Sequence, residues 1–450
     1  MLNIFHKRKK DILNGSIPQQ IMLFLFPALV GYLIQQEYAA IDQMILGKIS
    51  THALAVVGTS NTILNIITNI ITGICAAITI LVAQNYGRGN FEGAKQVIRS
   101  GMFVSVILGG IITAAIILSR NFLLTLISTP IDLMADASIY ILIYISSIIF
   151  YFIYQTGVSI LRATGDSKRP LYFIILNFIV KIGLDLLLIN VFDLGVVGCG
   201  LATFFAHLVC AIAILVIFNL TEENYRFAIK DFGFESSTLS QILKIGVPAA
   251  LQSALFPLAS MYIQVRINEF GTQTIAAFSA YNSVDNYYWC FSSSLSAAVM
   301  TIAGQNYGNK NIKRVRKTAL WGIIINIIGA LLIGGVIYAN ADSLLSSYTN
   351  DLEVVVIAKD MLKVVCVTYW IYSFIEVLTA ALKSCGLVMA TVYICLFFVC
   401  GVRLGFLILN PELSAVGIIY CFPLSWIVTS TVFIIYFLTT KKLKEKNSTN

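Results

Sequence analysis

An internal repeat is the feature of this sequence that most constrains the fold. The tetrapeptide QNYG at residues 84–87 returns unchanged at residues 305–308, a displacement of 221 residues in a chain of 450. Matched residues lie at the same places in the hydropathy pattern of each half, so the repeat is structural rather than compositional. The chain is therefore expected to fold as two copies of one unit. The same displacement pairs Pro27 with Pro248, Asn61 with Asn282, Tyr151 with Tyr372, Leu161 with Leu382 and Gly165 with Gly386.

Lipid is the solvent that the composition predicts for most of the chain. Hydrophobic residues make up 58% of it and charged residues only 12%, with a mean hydropathy of +0.85, whereas soluble domains are about 25% charged. Apolar runs of about 20 residues are long enough to cross the hydrocarbon core as helices. Twelve are present, with predicted bounds 17–46, 53–82, 100–118, 137–160, 171–190, 196–218, 246–268, 274–303, 318–339, 355–381, 387–409 and 414–438.

The twelve spans divide into six and six on either side of a polar stretch. We predict an all-α polytopic membrane protein with twelve transmembrane helices in two pseudo-symmetric six-helix bundles. Residues 1–220 form the N-terminal bundle, residues 221–244 a cytoplasmic linker and residues 245–450 the C-terminal bundle. Because each half has an even number of spans, the halves are parallel repeats, as in many membrane transporters.

The basic residues indicate the orientation of the chain. If the first segment is cytoplasmic, the segments on the same side hold 23 of the 30 Lys and Arg residues. The positive-inside rule then places both termini in the cytoplasm. Contact with an anionic leaflet accounts for the net charge of +8 without nucleic acid. The nine cysteines lack metal or redox spacing and the three histidines form no clustered pair, so we expect no metal, no cofactor and no enzyme active site.

Four motifs carry a resemblance to a known family. They are IDQMILG at 41–47, the QNYG stretch at 82–89, LRATGD at 161–166 with KRP at 168–170, and GVVGCGLAT at 195–203. In this order, and with the duplication, the chain resembles the multidrug and toxic compound extrusion (MATE) family of cation antiporters. The resemblance implies a V-shaped molecule of two six-helix bundles that face a central cavity. It also implies export of organic cations in exchange for inward H⁺ or Na⁺.

Ionisable residues inside the predicted spans are functional candidates, because each costs at least about 2.5 kcal/mol unless it is paired or hydrated. By resemblance, Asp42 and Asp185 match two aspartates that form a proton- or sodium-responsive site, with Thr203 as a nearby polar ligand. Pro27 matches a helix-bending proline, and a proline inside a helix removes a hydrogen bond, which makes a hinge. The alternative for Asp42 is a boundary residue near the outer membrane face. The full set is Glu37, Asp42, Lys181, Asp185, Asp285, Glu376 and Arg403.

Lys181 departs from the family pattern, which usually has Asn four residues before the fifth-span aspartate. At i, i+4 on one helix, Lys181 and Asp185 share a face, so the lysine would favour the ionised carboxylate and repel Na⁺. Lys181 is then the titrating group itself, or half of a fixed ion pair, or part of a static structural bridge. Glu37 is a second departure. It is about 140° around the helix from Asp42, and it either faces the cavity or pairs with Lys181.

The second half has its own candidate site, around Asp285. A carboxylate among aromatic faces suits an organic cation, which gains Coulomb and cation–π attraction. The alternative is bundle packing with Asp285 hydrogen-bonded to its neighbours. Glu376, one turn after Tyr372, could complete the same cavity, and Arg403 is expected to pair with Glu376 or to reach the outer surface. The aromatic residues that follow Asp285 are Tyr287, Tyr288 and Trp289.

The sequence thus predicts a secondary active antiporter in the bacterial cytoplasmic (inner) membrane that exports organic cations or drugs in exchange for H⁺ or Na⁺. Its expected partners are small-molecule organic cations and membrane lipid, without nucleic acid, and the protein is expected to be a monomer. A flippase for lipid-linked precursors or polysaccharides is the nearest alternative, but it would need a cationic cavity, and the spans hold mainly acids. An intramembrane enzyme is a remote alternative, because no nucleophile–base set or metal-ligand cluster is recognisable.

Overall fold

The computed structural model describes residues 12–127, 129–349 and 351–443, apart from side chains at 38–40, 43–44, 47–49, 51, 229, 255–256 and 258–259. Every regular element in these ranges is a helix. In the first half the helices are α1 Ile17–Ile49, α2 Thr51–Gly87, α3 Phe91–Leu126, α4 Ile131–Ser146, α5 Ile148–Ala163, α6 Arg169–Asp185 and α7 Gly195–Leu220. In the second half they are α8 Ser236–Asn268, α9 Thr272–Gly308, α10 Ile312–Ala339, α11 Ala341–Ser346, α12 Leu352–Cys366, α13 Tyr369–Ser384, α14 Val388–Ile394, α15 Gly401–Leu409, α16 Ala415–Ile419 and α17 Cys421–Thr439.

Shorter helical segments complete the chain. Each half has one π-helical segment in its fifth apolar span: Leu186–Val191 follows α6, and Cys395–Cys400 lies between α14 and α15. Single 3₁₀ turns occur at Ile229–Asp231 and Lys441–Leu443. Because α8 begins at Ser236, the segment 221–244 contains the start of a helix.

The sequence repeat is also a repeat of helices. Helices α2 and α9 each contain 37 residues, and both bounds of α9 are displaced from those of α2 by 221 residues. Helices α5 and α13 each contain 16 residues with the same displacement. Matching bounds in two copies indicate that the same local signals, apolar periodicity and capping residues, act twice.

The turn after QNYG shows these local signals. Gly89 adopts a φ of 72°, and Lys310, at the equivalent position of the second copy, adopts 59°. This left-handed conformation costs little for glycine and more for lysine. The next residue caps the following helix in both copies, because the side chain of Asn90 accepts from the backbone N–H of Gly93 and Asn311 does the same for Arg314.

The predicted span 137–160 is two helices. Helices α4 and α5 are bent by 43° at a break around Ser147. The Ser147 hydroxyl donates to the Tyr144 carbonyl at 2.6 Å and is hydrogen-bonded to His207 Nδ1 at 2.9 Å. A serine that bonds the preceding turn bends a helix. By length and composition, the described part of the chain contains eight helices able to cross a membrane, or nine if this bent pair is one span.

The structure divides into two compact units. One contains the chain up to Leu29 and from Leu251 onward, and the other contains Val30–Ala250. Each boundary falls two residues after a proline, Pro27 in α1 and Pro248 in α8, and these prolines are equivalent in the repeat. Helices α1 and α8 therefore each contribute residues to both units. Each unit has its own apolar core.

Candidate functional site

The unit Val30–Ala250 contains a buried group of charges on three helices. Helix α1 carries Asp42, α6 carries Lys181 and Asp185, and α7 carries Cys199. The Lys181 Nζ donates to Asp42 Oδ1 at 2.7 Å, to Asp185 Oδ2, and to Cys199 Sγ at 3.7 Å. The side chains of Lys181 and Asp185 are fully buried, and that of Asp42 is 13% exposed. One ammonium is thus surrounded by two carboxylates and a thiol; we call these four residues the lysine cluster.

Local structure explains how the lysine cluster forms. Lys181 and Asp185 are one turn apart on α6, so they share a face, as the spacing predicts. Asp185 is the last residue before the π-helical segment Leu186–Val191, and such segments are frequent at functional sites. The second oxygen of Asp185, Oδ1, is buried and accepts no hydrogen bond from the described residues. The contact with Asp42 joins α1 to α6 across 139 residues of sequence.

Helix α7 carries two further buried polar residues after Cys199, Thr203 and His207. Thr203 is buried one turn later, and its hydroxyl donates to the Cys199 carbonyl at 3.1 Å. His207, one turn further, is buried, hydrogen-bonded to Ser147, and packed against the ring of Tyr151 at 5.0 Å. His207 is not among the site residues that the sequence predicts. The i, i+4, i+8 spacing of Cys199, Thr203 and His207 was the available signal that it shares their face.

The other first-half candidates lie on α1. Pro27 is partly buried inside α1, which continues through it as one helix. Glu37 is exposed. Its place, beside the cavity or paired with Lys181, stays a prediction.

Asp285 is the centre of a hydrogen-bonded group in the other compact unit. It is buried on α9, and both of its oxygens accept hydrogen bonds. The Tyr369 hydroxyl of α13 donates to Oδ1, and Trp289 Nε1, one turn along α9, donates to Oδ2 at 2.6 Å. Two aromatic residues therefore present their polar edges, and not their ring faces, to this carboxylate.

Aromatic side chains surround Asp285. Tyr288 stacks on Tyr369 with ring centroids 3.9 Å apart, and its hydroxyl donates to the Tyr369 carbonyl at 3.0 Å. Trp289 meets Tyr372 edge to face at 4.6 Å. Trp426, which no sequence pattern singles out, is buried in α17 and contacts the rings of Trp289, Tyr369 and Tyr372. No local pattern could place Trp426 beside these rings, because α17 is remote in sequence from α9 and α13.

The remaining second-half candidates occupy different positions. Glu376 is near the aromatic group, since its Oε2 accepts from the Tyr372 hydroxyl at 2.9 Å. Tyr287 is two residues after Asp285, about 200° around α9, and so lies on another face of that helix. Arg403 is buried, donates to Ser425 Oγ at 3.1 Å, and has its guanidinium 4.5 Å from the centroid of the Phe422 ring.

Comparison with known proteins gives a family match that repeats like the sequence. The profile of the MatE family matches twice, at residues 27–187 and 248–408, which together cover more than half of the chain. The chain is 25% identical over 442 residues to the probable multidrug resistance protein YoeA of Bacillus subtilis, covering 96% of this chain and 95% of that protein. It is 30% identical over 312 residues to the probable multidrug resistance protein YpnP of Bacillus subtilis, covering 68% of each.

Solved structures agree with the fold. A transporter of the MOP superfamily from Pyrococcus furiosus superimposes with a TM-score of 0.89 at 20% identity, covering 96% of this chain and 98% of that one. A MATE crystal structure in complex with MaL6 also gives a TM-score of 0.89. This likeness confirms the fold class that the sequence predicts, an all-α polytopic membrane protein built from two bundles of helices.

Proposed function

The chain belongs to the MatE family of multidrug efflux transporters, and from this premise we propose that it is a secondary antiporter that exports organic cations in exchange for H⁺. The observation that carries the proposal is the lysine cluster, in which Lys181 joins Asp42 and Asp185. The family resemblance assigns Asp42 and Asp185 to ion coupling, and both accept a hydrogen bond from Lys181. Thr203, on the same face of α7, and Glu37 on α1 belong to the same proposed coupling region.

Charge balance supports a proton as the coupling ion. Two carboxylates and one ammonium carry a net charge of −1 when all three are ionised. A buried uncompensated charge is costly. One bound proton brings the net charge of the group to zero, so the group is suited to binding a proton.

Proton binding can be coupled to transport through α1. Asp42 on α1 is held to α6 through its ion pair with Lys181. A proton on Asp42 would weaken that attraction and so change the relative stability of two conformations. Pro27 is proposed as the hinge, because α1 passes from one compact unit to the other two residues after it.

The group around Asp285 is the proposed substrate site. The carboxylate supplies negative charge, and the rings of Tyr288, Trp289 and Tyr372 supply apolar and π surface. Glu376 adds a second carboxylate beside Tyr372. Tyr287, which lies on another face of α9, remains a proposed substrate contact. Two acids in an aromatic setting suit a monovalent or divalent organic cation.

The setting of the proposed activity follows from the same features. The chain is a multi-pass membrane protein, and we propose that it resides in the bacterial cytoplasmic membrane with both termini in the cytoplasm, as the distribution of Lys and Arg indicates. It is proposed to act as a monomer without a cofactor. A flippase for anionic lipid-linked precursors is less well supported, because carboxylates outnumber cations: Asp42, Asp185, Asp285 and Glu376 stand against Lys181 and Arg403.

Transport in proteoliposomes tests the proposal. With pH and Na⁺ gradients imposed separately, an inward proton gradient should drive export of a fluorescent quaternary ammonium dye, and a Na⁺ gradient alone should not. Asp42→Asn is nearly isosteric with the protonated acid but cannot titrate, so it should fold normally and lose gradient-driven export. Normal export by this variant would remove Asp42 from the coupling site, and export driven by Na⁺ alone would overturn the choice of ion.

A further inference from the structure

We propose that the Lys181 ammonium is a tethered cation that occupies the position a free metal cation would take between Asp42 and Asp185. The wild-type chain would then bind no Na⁺ at this place, and removal of the lysine would create a Na⁺ site. This inference rests on the proposed antiport function for its meaning in coupling, whereas the ion-binding statement itself can be tested without transport.

The side-chain atoms of Asp42, Asp185 and Cys199 lie close enough together to hold one ion. One oxygen of Asp42, one oxygen of Asp185 and the sulfur of Cys199 all lie within 4.8 Å of one another, a group compact enough to hold an ion. Lys181 Nζ is bonded to all three. The ammonium therefore contacts all three residues that would hold the ion.

The ammonium that fills this group is both buried and tethered to the protein. The Lys181 and Asp185 side chains are fully buried, and the lysine is held by its own helix one turn from the aspartate. A group tethered in this way competes with free ions at a high effective concentration. A second cation entering the same space would meet the ammonium at contact distance and be repelled.

Asp185 offers a second oxygen as a further ligand for an ion. Its Oδ1 is buried and accepts no hydrogen bond from the part of the chain that the structure describes. With the ammonium removed, Asp42 and both oxygens of Asp185 would form a set of oxygen ligands, which hard cations prefer. An asparagine at position 181 would add a carbonyl oxygen. The charge of −1 left by two carboxylates and one Na⁺ equals that of the present cluster.

The consequence concerns ion specificity. A tethered ammonium satisfies the charge that a coupling Na⁺ would otherwise satisfy, so one residue would exclude Na⁺ from this site. Lys181 is thus assigned as a specificity-determining residue, and the carboxylates remain available to the proton.

The test is Na⁺ binding to purified full-length protein, measured by calorimetry and by melting temperature, with choline chloride keeping the ionic strength constant. Wild type should show no Na⁺-specific response. Lys181→Asn should bind Na⁺ and gain about 3 °C or more in melting temperature at saturating Na⁺. Lys181→Arg keeps a tethered cation and should not respond. Asp185→Asn in the Lys181→Asn background should abolish the new response.

Two results would overturn the inference. One is Na⁺-specific binding by wild type that Asp185→Asn removes, and the other is a folded Lys181→Asn protein without Na⁺ binding. If Lys181→Asn does not fold even when prepared in Na⁺, the same measurement is made on Lys181→Gln, whose side chain is closer to lysine in length. The Na⁺ titration of wild type does not depend on either variant and tests the inference in both cases. Failure of wild type to export dye would contradict the proposed function but would leave the binding result intact.

Discussion

At the scale of single residues, Lys181 is the side chain with the largest consequences. It is fully buried and bonded to two carboxylates, so its removal leaves uncompensated charge inside the bundle. Breaking a buried ion pair by removing one partner costs about 3 to 5 kcal/mol, whereas removing both partners can be nearly neutral. Because of this difference, the interaction energy of the pair can be measured from single and double variants.

A double-mutant cycle measures the coupling between Lys181 and Asp185. Lys181→Met and Asp185→Leu should each lower thermal stability in detergent, and the double variant should lose less than the sum of the two, with a coupling of about 1 to 3 kcal/mol. Lys359→Met, whose side chain is half-exposed and pairs with Asp342, is the control and should change stability by well under 1 kcal/mol. Additive losses at positions 181 and 185 would show that the buried pair contributes no coupling.

The role of Asp285 as a charge for substrate can be distinguished from a role in packing by comparing a cationic with a neutral ligand. Asp285→Asn removes the full charge but keeps the shape, so a monovalent organic cation should lose about tenfold or more in affinity while a neutral ligand of similar size loses little. Tyr369→Phe is the matched control, because it removes a hydrogen bond to the carboxylate and keeps the charge and the ring. Equal weakening for both ligands in Asp285→Asn would indicate a shifted cavity wall instead of a substrate charge site.

At the scale of helices, the two copies of the repeat share their helix bounds but not all of their contacts. Arg314, in the first turn of α10, donates from Nη2 to the carbonyls of Gly15 at 2.8 Å and Ile12 at 3.2 Å, and from Nε to Asn306 Oδ1 at 3.0 Å. The equivalent residue of the first copy is Gly93. Asn306 of the second QNYG and Arg314 therefore anchor the segment that leads into α1.

Loss of this anchor should loosen the start of the chain. Arg314→Ala should increase amide hydrogen exchange in residues 12–16 and cost about 1 to 3 kcal/mol of stability, because three charge-assisted hydrogen bonds disappear. Lys317→Ala, an exposed residue of the same charge on α10, is the control and should leave exchange there unchanged. Unaltered exchange in Arg314→Ala would show that the segment is held by its apolar contacts instead.

At the scale of the whole molecule, the compact units do not follow the division of the repeat. The boundaries in α1 and α8 fall after the equivalent residues Pro27 and Pro248, so each helix belongs partly to both units. The family match confirms the resemblance carried by the sequence motifs, and it also occurs once in each half. Both prolines lie inside helices, where proline costs about 3 kcal/mol relative to a continuous helix.

Replacement of Pro27 tests its role as a hinge. Pro27→Ala restores the missing N–H, so α1 should become more stable and gradient-driven dye export should slow by roughly tenfold or more if a bent state is needed. Pro248→Ala, the equivalent change in α8, is the comparison. An export rate equal to that of wild type in a folded Pro27→Ala protein would exclude the hinge.

The sequence by itself determined the features that depend on neighbouring residues. Hydropathy, capping residues and the repeat predict helices, membrane insertion and duplication, because these signals act over a few turns of chain. The contact between Lys181 and Asp185 was predictable for the same reason, since i, i+4 residues share a helix face.

Only the tertiary structure decided which distant residues meet. Asp42 reaches Lys181 across 139 residues, and Trp426 of α17 packs on Trp289 of α9. The start of α1 belongs to the unit formed mainly by the second half of the chain. Helix packing depends on the complementary shapes of side chains far apart in sequence, and no local pattern records which surfaces fit together.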